Sequence, residues 1–193
     1  MTPKDQCAVL LDLAVELRKY GSWGGETHVQ KATYLLQELL GLPTGFNFVL
    51  YKHGPFSFDL RELLEQMEAG RLIELEEQPY PYGPKIAEGS AAPRFRASTK
   101  TPPLFQQGIA FVSRELGSAG VAELERIATA LFVSQDREVA PDERDRKLVQ
   151  LKPHVQLQEA KEAFARLEEI RNAASLAGLS PCAGTSVELT SSL

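Results

Sequence analysis

The sequence has few of the side chains that build metal centres, redox sites and disulfide frameworks. It contains two cysteines, Cys7 and Cys182, and three histidines in 193 residues. The histidines do not form the close pairs, such as His-x-x-x-His, that a zinc site usually shows. Two cysteines so far apart in the chain make no disulfide framework. We therefore expect no cofactor, no metal and no disulfide, and a reducing, cytoplasmic setting.

The motifs of the common catalytic classes are also missing. Neither the phosphate-binding patterns G-x-x-x-x-G-K-[ST] and G-x-G-x-x-G nor the nucleophile pattern G-x-S-x-G occurs. No apolar run approaches the roughly 20 residues that cross a bilayer. Acids at Asp5, Asp12 and Glu16 argue against a signal peptide. These absences predict a protein that is not an enzyme and has no membrane partner.

The clearest structural pattern lies in residues 46–77. Alternating residues predict a short strand up to Tyr51, and Gly54-Pro55 predicts a sharp turn, because proline keeps the preceding residue out of the helical region. Ser57 is placed to cap an amphipathic helix, Gly70 to end it, and a second strand follows. Helix, strand, helix and strand at this spacing predict a winged-helix-like unit.

Further signals mark helices before this stretch. Thr2-Pro3 predicts the start of a first helix, which Gly21 ends. Thr27-x-x-Gln30 has the pattern of a capping box ahead of the most apolar helix in the chain. Trp23, the single tryptophan, is predicted to cover the core, with a platform for a ligand as the alternative.

The whole chain is predicted to be mainly α with a small β-hairpin. Residues 1–100 form the winged-helix-like N-terminal core, and residues 101–178 form a C-terminal helical segment packed on it. Within the core, residues 78–93 are predicted to be a long wing loop, and Arg94-Phe95-Arg96-Ala97 the return strand of the hairpin. The Ser/Thr/Gly-rich residues 179–193 predict a disordered tail.

A winged helix can contact DNA through its recognition helix or through its hairpin, and in this sequence the two differ in charge. The net charge is -5, and the candidate recognition helix carries four acids against Arg61 alone, which a phosphate-lined groove would repel. Four basic residues, which we call the basic wing, fall on the predicted hairpin: Lys85, Arg94, Arg96 and Lys100. Two interpretations stay open: a weak nucleic-acid or acidic-partner contact through the basic wing, or a solvated hairpin.

The last predicted helix carries a narrow apolar stripe flanked by charges. Leu157, Phe164 and Leu167 lie on the stripe, and Arg171 lies beside it. Such a stripe packs either on the chain's own core or against another helix in a heptad-like seam. We predict that these four residues bind a protein partner or a second copy of the chain, with packing on the core as the alternative.

Two segments resemble a known family. HVQKATYLL at residues 28–36 is similar to the family's opening helix, and YKHGPFSFDL at residues 51–60 to its "Y-x-x-G-P-[YF]-S-x-x-L" turn and helix. The segment around Gly70 is similar to the family's following glycine and strand. Together, over residues 27–75, they resemble the YwgA-like and Panacea (SocA-like antitoxin) group of small prokaryotic proteins.

This resemblance implies a non-enzymatic helical protein with a winged-helix-like core. Its structural motif would comprise Tyr51, Gly54, Pro55, Ser57 and Gly70. It further implies a protein-binding module: an antitoxin-like neutraliser, an adaptor or a subunit of a prokaryotic defence or toxin–antitoxin assembly, with a toxin or defence effector as partner. The alternative is a nucleic-acid-binding transcriptional or defence regulator that uses the basic wing.

Overall fold

A computed structural model describes residues 1–80 and 83–179 of the chain. The predicted disordered tail lies outside these residues, except for Leu179. The described part contains eight α-helices, with a short 3-10 helix at Pro141–Glu143 before the seventh. In chain order they are α1 Pro3–Lys19, α2 Glu26–Glu38, α3 Phe58–Ala69, α4 Ala92–Ser98, α5 Pro103–Leu116, α6 Val121–Gln135, α7 Arg144–Leu151 and α8 Leu157–Leu176.

Four short strands form two separate antiparallel hairpins in the described residues. The strands are β1 Val49–Tyr51, β2 Gly54–Phe56, β3 Ile73–Glu76 and β4 Lys85–Glu88. In the first hairpin Tyr51 is opposite Gly54, and in the second Ile73 is opposite Glu88. The prediction of a mainly α chain with a small β component is confirmed, with two hairpins where the sequence predicted one.

The core forms where helices from both halves of the chain meet. Helix α1 packs on α5, α2 packs on both α5 and α6, and α8 packs on α6 and α7. One hydrophobic cluster runs through all of them, from Val9 in α1 to Ala174 in α8. Hairpin β1–β2 rests on α2 and α6, while β4 of the second hairpin contacts α1. The residues 101–178 thus share a single core with the N-terminal helices.

Local sequence signals explain several element ends. Thr2 and Asp5 form a capping box at the start of α1. The Ser57 side chain accepts a hydrogen bond from the Leu60 amide, as expected of an N-cap. Gly70 caps the other end of α3. The inward face of α3 is buried as predicted, and it consists of Leu60, Leu63, Leu64 and Met67.

The wing prediction is wrong in its return strand. Lys85–Glu88 pairs with β3, whereas Arg94-Phe95-Arg96-Ala97 lies inside helix α4. Pro93 stands in the first turn of this helix, where its fixed φ fits and its missing N–H costs nothing. The predicted wing loop over residues 78–93 therefore contains β4 and the start of α4.

Two smaller predictions are also corrected. Gly54-Pro55 does not form the turn itself: Lys52 and His53 join the strands, and Gly54 begins β2 with a φ of 85°. The Thr27-x-x-Gln30 capping box is absent, because α2 already begins at Glu26 behind Gly25. The Gln30 side chain has a different partner, described below.

No helix in residues 1–80 and 83–179 has the length and apolar character needed to cross a membrane.

Candidate functional site

A groove of about 910 Å³ lies on one side of the molecule. It lies between the start of α2, one side of α3, the β3–β4 hairpin and the loop that joins α5 to α6. Leu64, Ile73 and Ile86 form a buried apolar floor, and Leu75 and Val121 stand partly exposed at its sides. Clefts of this volume with an apolar lining are the usual place for ligand or peptide binding. We call it the hairpin groove.

One wall of the hairpin groove is a tryptophan covered by a lysine. The Lys85 Nζ lies 4.1 Å from the centre of the Trp23 ring, close enough for a cation–π interaction. The Trp23 indole donates a hydrogen bond to the Gly83 carbonyl at 3.4 Å. The loop carrying Trp23 is bound to β4, since the Ile86 amide donates to the Gly24 carbonyl. Trp23 is half-buried and faces the groove rather than covering the main core.

Another wall of the groove, on α3, is acidic. Two exposed carboxylates, Glu65 and Glu68, line the groove directly, and we call this pair the acidic ridge. Arg61 on the same helix is already occupied, because it binds Glu26 through two hydrogen bonds and stacks on Phe56 at 4.7 Å. This side of the groove is therefore suited to a cationic ligand.

The two family-like segments contact each other through buried polar side chains. The Gln30 amide donates to the Ser57 carbonyl at 2.9 Å, and its oxygen accepts from the Ser57 amide at 3.0 Å. We call this pair of bonds the amide clamp. Next to it, the Lys31 Nζ donates to the Pro55 carbonyl at 3.1 Å. The clamp fixes the start of α3 on α2.

Gly54 lets the first hairpin approach α6 closely. A Cβ at this position would lie 3.1 Å from the Thr129 Oγ1 and 3.3 Å from the Glu125 carbonyl oxygen. His53 reaches Glu125 with its Nδ1, 3.1 Å from the carboxylate. Tyr51 is exposed and its ring packs against Phe56 and Phe58. The predicted structural motif thus positions the hairpin and α3.

Lys31 is a buried cation with a displaced pKa. Its side chain is only 1% exposed. Burial disfavours the charged form and lowers the pKa from 10.5 to about 8, against the opposing effect of the Glu125 charge. The unfolded chain then binds more protons than the folded chain between these two pKa values. Stability should therefore rise with pH through this window, and below it both states are protonated.

We expect Lys31→Met to remove this pH dependence. The difference between the pKa of Lys31 in the unfolded and the folded chain corresponds to about 3 kcal/mol. As the pH rises from 8 to 10.5, Lys31 should therefore increase the free energy of unfolding of the wild type by up to that amount. Urea unfolding of both proteins at about pH 8 and about pH 10 measures the difference. The contributions of the other titrating groups are the same in both proteins, so they cancel when the two pH dependences are subtracted. An equal pH slope in the two proteins would contradict the assigned pKa.

Two residues of the basic wing have partners within the protein. Arg96 binds Asp12 of α1 and Glu88 of β4, and Lys85 covers Trp23. Arg94 and Lys100 are exposed on and after α4. Two of the four predicted nucleic-acid contacts are therefore engaged inside the protein.

The stripe on α8 faces the chain's own core. Leu167 is 0% exposed and Phe164 is half-buried, whereas Leu157 is 43% exposed. Arg171 donates to the Ser134 hydroxyl of α6 and pairs with Glu168. For Leu167 the structure shows the alternative that the sequence left open, packing on the chain's own core, where α8 contacts α6 and α7. A partner contact through the other three residues stays a prediction.

Sequence reasoning missed the hairpin groove and the amide clamp. One signal for the clamp was available: Gln30 and Lys31 are adjacent polar residues inside an otherwise apolar helix, which indicates buried polar contacts. In residues 1–80 and 83–179 there is no group of three or more His, Cys, Asp or Glu that could hold a metal ion. No family model and no curated protein matches the chain. The geometry of the groove is therefore the basis for a functional proposal.

Proposed function

We propose that this protein is a non-enzymatic protein-binding module that holds a basic, partly apolar segment of a partner in the hairpin groove. The observation that carries the proposal is the combination of an apolar floor with the acidic ridge along one wall. Apolar anchors of the segment would fill the floor, and its lysines or arginines would meet Glu65 and Glu68. Charge complementarity of this kind mainly sets association rate and partner choice.

The resemblance to the YwgA-like and Panacea group supports the same class of function. On that ground we propose an antitoxin-like neutraliser or adaptor, acting in the cytoplasm on a basic toxin or effector. The winged-helix interpretation also stays a proposal. It rests on helix α3 being followed directly by hairpin β3–β4. Within residues 1–80 and 83–179 hairpin β1–β2 pairs only with itself, so the two hairpins form two separate sheets.

Selection of a random peptide library on the folded protein tests the groove. We expect the selected peptides to share two or more apolar residues and at least one lysine or arginine, and to bind less tightly as salt increases. Leu75→Lys should weaken their binding about tenfold or more, because it removes an apolar contact and repels a cation. Isothermal titration with a selected peptide measures this loss.

A matched control is available outside the groove. Leu104 is 62% exposed and lies outside the groove, so Leu104→Lys should leave peptide affinity unchanged. Glu65→Lys combined with Glu68→Lys should weaken binding and reduce its salt dependence. Peptides that bind the Leu75→Lys protein as tightly as the wild type would place the binding surface elsewhere.

The nucleic-acid alternative predicts a different result. Binding of a DNA duplex would depend on the exposed cations of the basic wing and weaken steeply with salt. Arg94→Glu tests it without breaking an ion pair among the described residues, whereas Arg96→Glu would also break the contacts with Asp12 and Glu88. Fluorescence anisotropy with labelled duplex measures the change. Salt-sensitive binding that Arg94→Glu abolishes would favour this alternative over the groove.

A further inference from the structure

Two buried lysines bring their ammonium groups to the inner side of hairpin β1–β2. Lys31 donates to the Pro55 carbonyl, and Lys152 donates to the carbonyls of Tyr51 and Lys52 at 2.8 and 2.6 Å. Lys152 is 6% exposed, and Lys31 is more deeply buried. An ammonium group has three N–H donors. Within the described residues, Lys31 uses one of them and Lys152 uses two.

Glu125 is the carboxylate whose charge acts on both of these cations, and the charge of Glu26, which is paired with Arg61, acts on Lys31 as well. Neither lysine has a carboxylate oxygen within 4.0 Å in the described part of the chain. The charge of Glu125 acts on both from a longer distance, and its carboxylate is in contact with His53. A buried charge without a close counter-charge is costly. The arrangement therefore leaves positive charge to be balanced.

A cavity of about 140 Å³ lies beside Lys152. Its polar wall residues come from α6, from the connection between α7 and α8 and from the start of α8: Glu125, Arg126, Thr129, Lys152, His154 and Glu159. Lys31 lies just behind this wall. A Cβ built on Gly54 would be 3.1 Å from the Oγ1 of the wall residue Thr129 and 3.7 Å from the Cε of Lys31. The cavity is far smaller than the roughly 300–1,000 Å³ of sites for larger ligands.

Charge in and behind this wall is unbalanced. Arg126 and Glu159 neutralise each other at 3.2 Å, and Glu159 also accepts from the Gln156 amide. Glu125 then remains against Lys152 and against Lys31, which lies behind the wall and is charged below its pKa of about 8. Counting only these lysine, arginine and carboxylate groups, the sum is one positive charge. The cavity has room for one small ion with a few waters, and an anion is the species that would balance the sum.

We propose that this cavity is a binding site for a small tetrahedral oxyanion of the phosphate class. The unused N–H of the Lys152 ammonium, the Arg126 guanidinium and the His154 ring are the donors that would hold it. Bound there, the anion would link α6 and the α7–α8 connection to the first hairpin. The site is separate from the hairpin groove, with which it shares no wall residue.

Isothermal titration of the full chain with inorganic phosphate tests the site, in chloride buffer of constant ionic strength. We expect saturable binding and a matching saturable rise in the unfolding temperature. Arg126→Met and His154→Ala should each weaken the affinity, the first about tenfold or more, because a charge-assisted hydrogen bond is lost. Both positions keep some solvent exposure, so neither change removes core packing.

Lys100→Met, at an exposed lysine outside the cavity, is the matched control and should bind phosphate like the wild type. A parallel titration with O-phosphoserine separates two sources of the anion. Tighter binding of inorganic phosphate would assign the site to the free ion, and equal or tighter binding of O-phosphoserine to a phosphomonoester. No saturable binding, or binding that is unchanged in both variants, would overturn the proposal.

Discussion

Leu167→Glu should unfold the protein under conditions in which the wild type is stable. The Leu167 side chain is fully buried where α8 meets the core. Removing a buried leucine costs about 2–5 kcal/mol, and a buried carboxylate without a partner adds several more. The sum is on the order of the whole stability of a typical domain. Circular dichroism and urea unfolding would show the loss.

Leu157→Glu is the matched control on the same helix. Leu157 lies on the same stripe, but it is largely exposed at the first position of α8. A carboxylate at a helix N-terminus is favourable, so stability should change by less than about 0.5 kcal/mol. If Leu167→Glu stayed folded and lost only self-association in light scattering, α8 would be an interface and its packing on the core would be refuted.

Gly54→Val should destabilise the protein by about 3 kcal/mol or more. The φ of 85° at Gly54 belongs to the left-handed region, which costs a β-branched residue about 1–2 kcal/mol. The added Cβ would also press on the backbone oxygen of Glu125 and on Thr129, with little room to move in helix α6. Urea unfolding of variant and wild type gives the difference in free energy.

Gly21→Val separates the backbone cost of a left-handed φ from the cost of the contact with α6. Gly21 has a φ of 89°, but apart from its chain neighbours no atom of the described residues lies within 4 Å of the point that a Cβ would occupy, so only the backbone cost of about 1–2 kcal/mol applies. We expect Gly54→Val to be clearly the more damaging change. Equal losses at the two positions would mean that the contact with α6 contributes nothing.

The sequence predicts elements whose signals are local. Pro3, Ser57 and Gly70 mark helix ends by their own backbone and side-chain chemistry, and the structure has them there. The apolar spacing of α3 and α8 likewise identifies their buried faces. What that spacing cannot show is which neighbour covers a face. The sequence therefore leaves Leu167 open to either a partner or the core, and only the positions of α6 and α7 decide between them.

Contacts between residues far apart in the chain explain why the sequence mispredicted the return strand and the capping box and missed the hairpin groove. Arg94 and Arg96 alternate with apolar residues, as in a strand, yet Arg96 binds Asp12, which is 84 residues away in the chain. Gln30 fits a capping pattern, but its partner Ser57 is 27 residues further on. The hairpin groove combines four elements, and no single segment carries its signal. Each of these features depends on tertiary packing, which overrides local preference.

The amide clamp determines which parts of the hairpin groove can move. Gln30 holds both the amide and the carbonyl of Ser57, and Arg61 is bound to Glu26 on the same pair of helices. Swinging α3 away from α2 would require all these bonds to break together. Any adjustment of the hairpin groove to the shape of a ligand should therefore leave these two helices in place relative to each other.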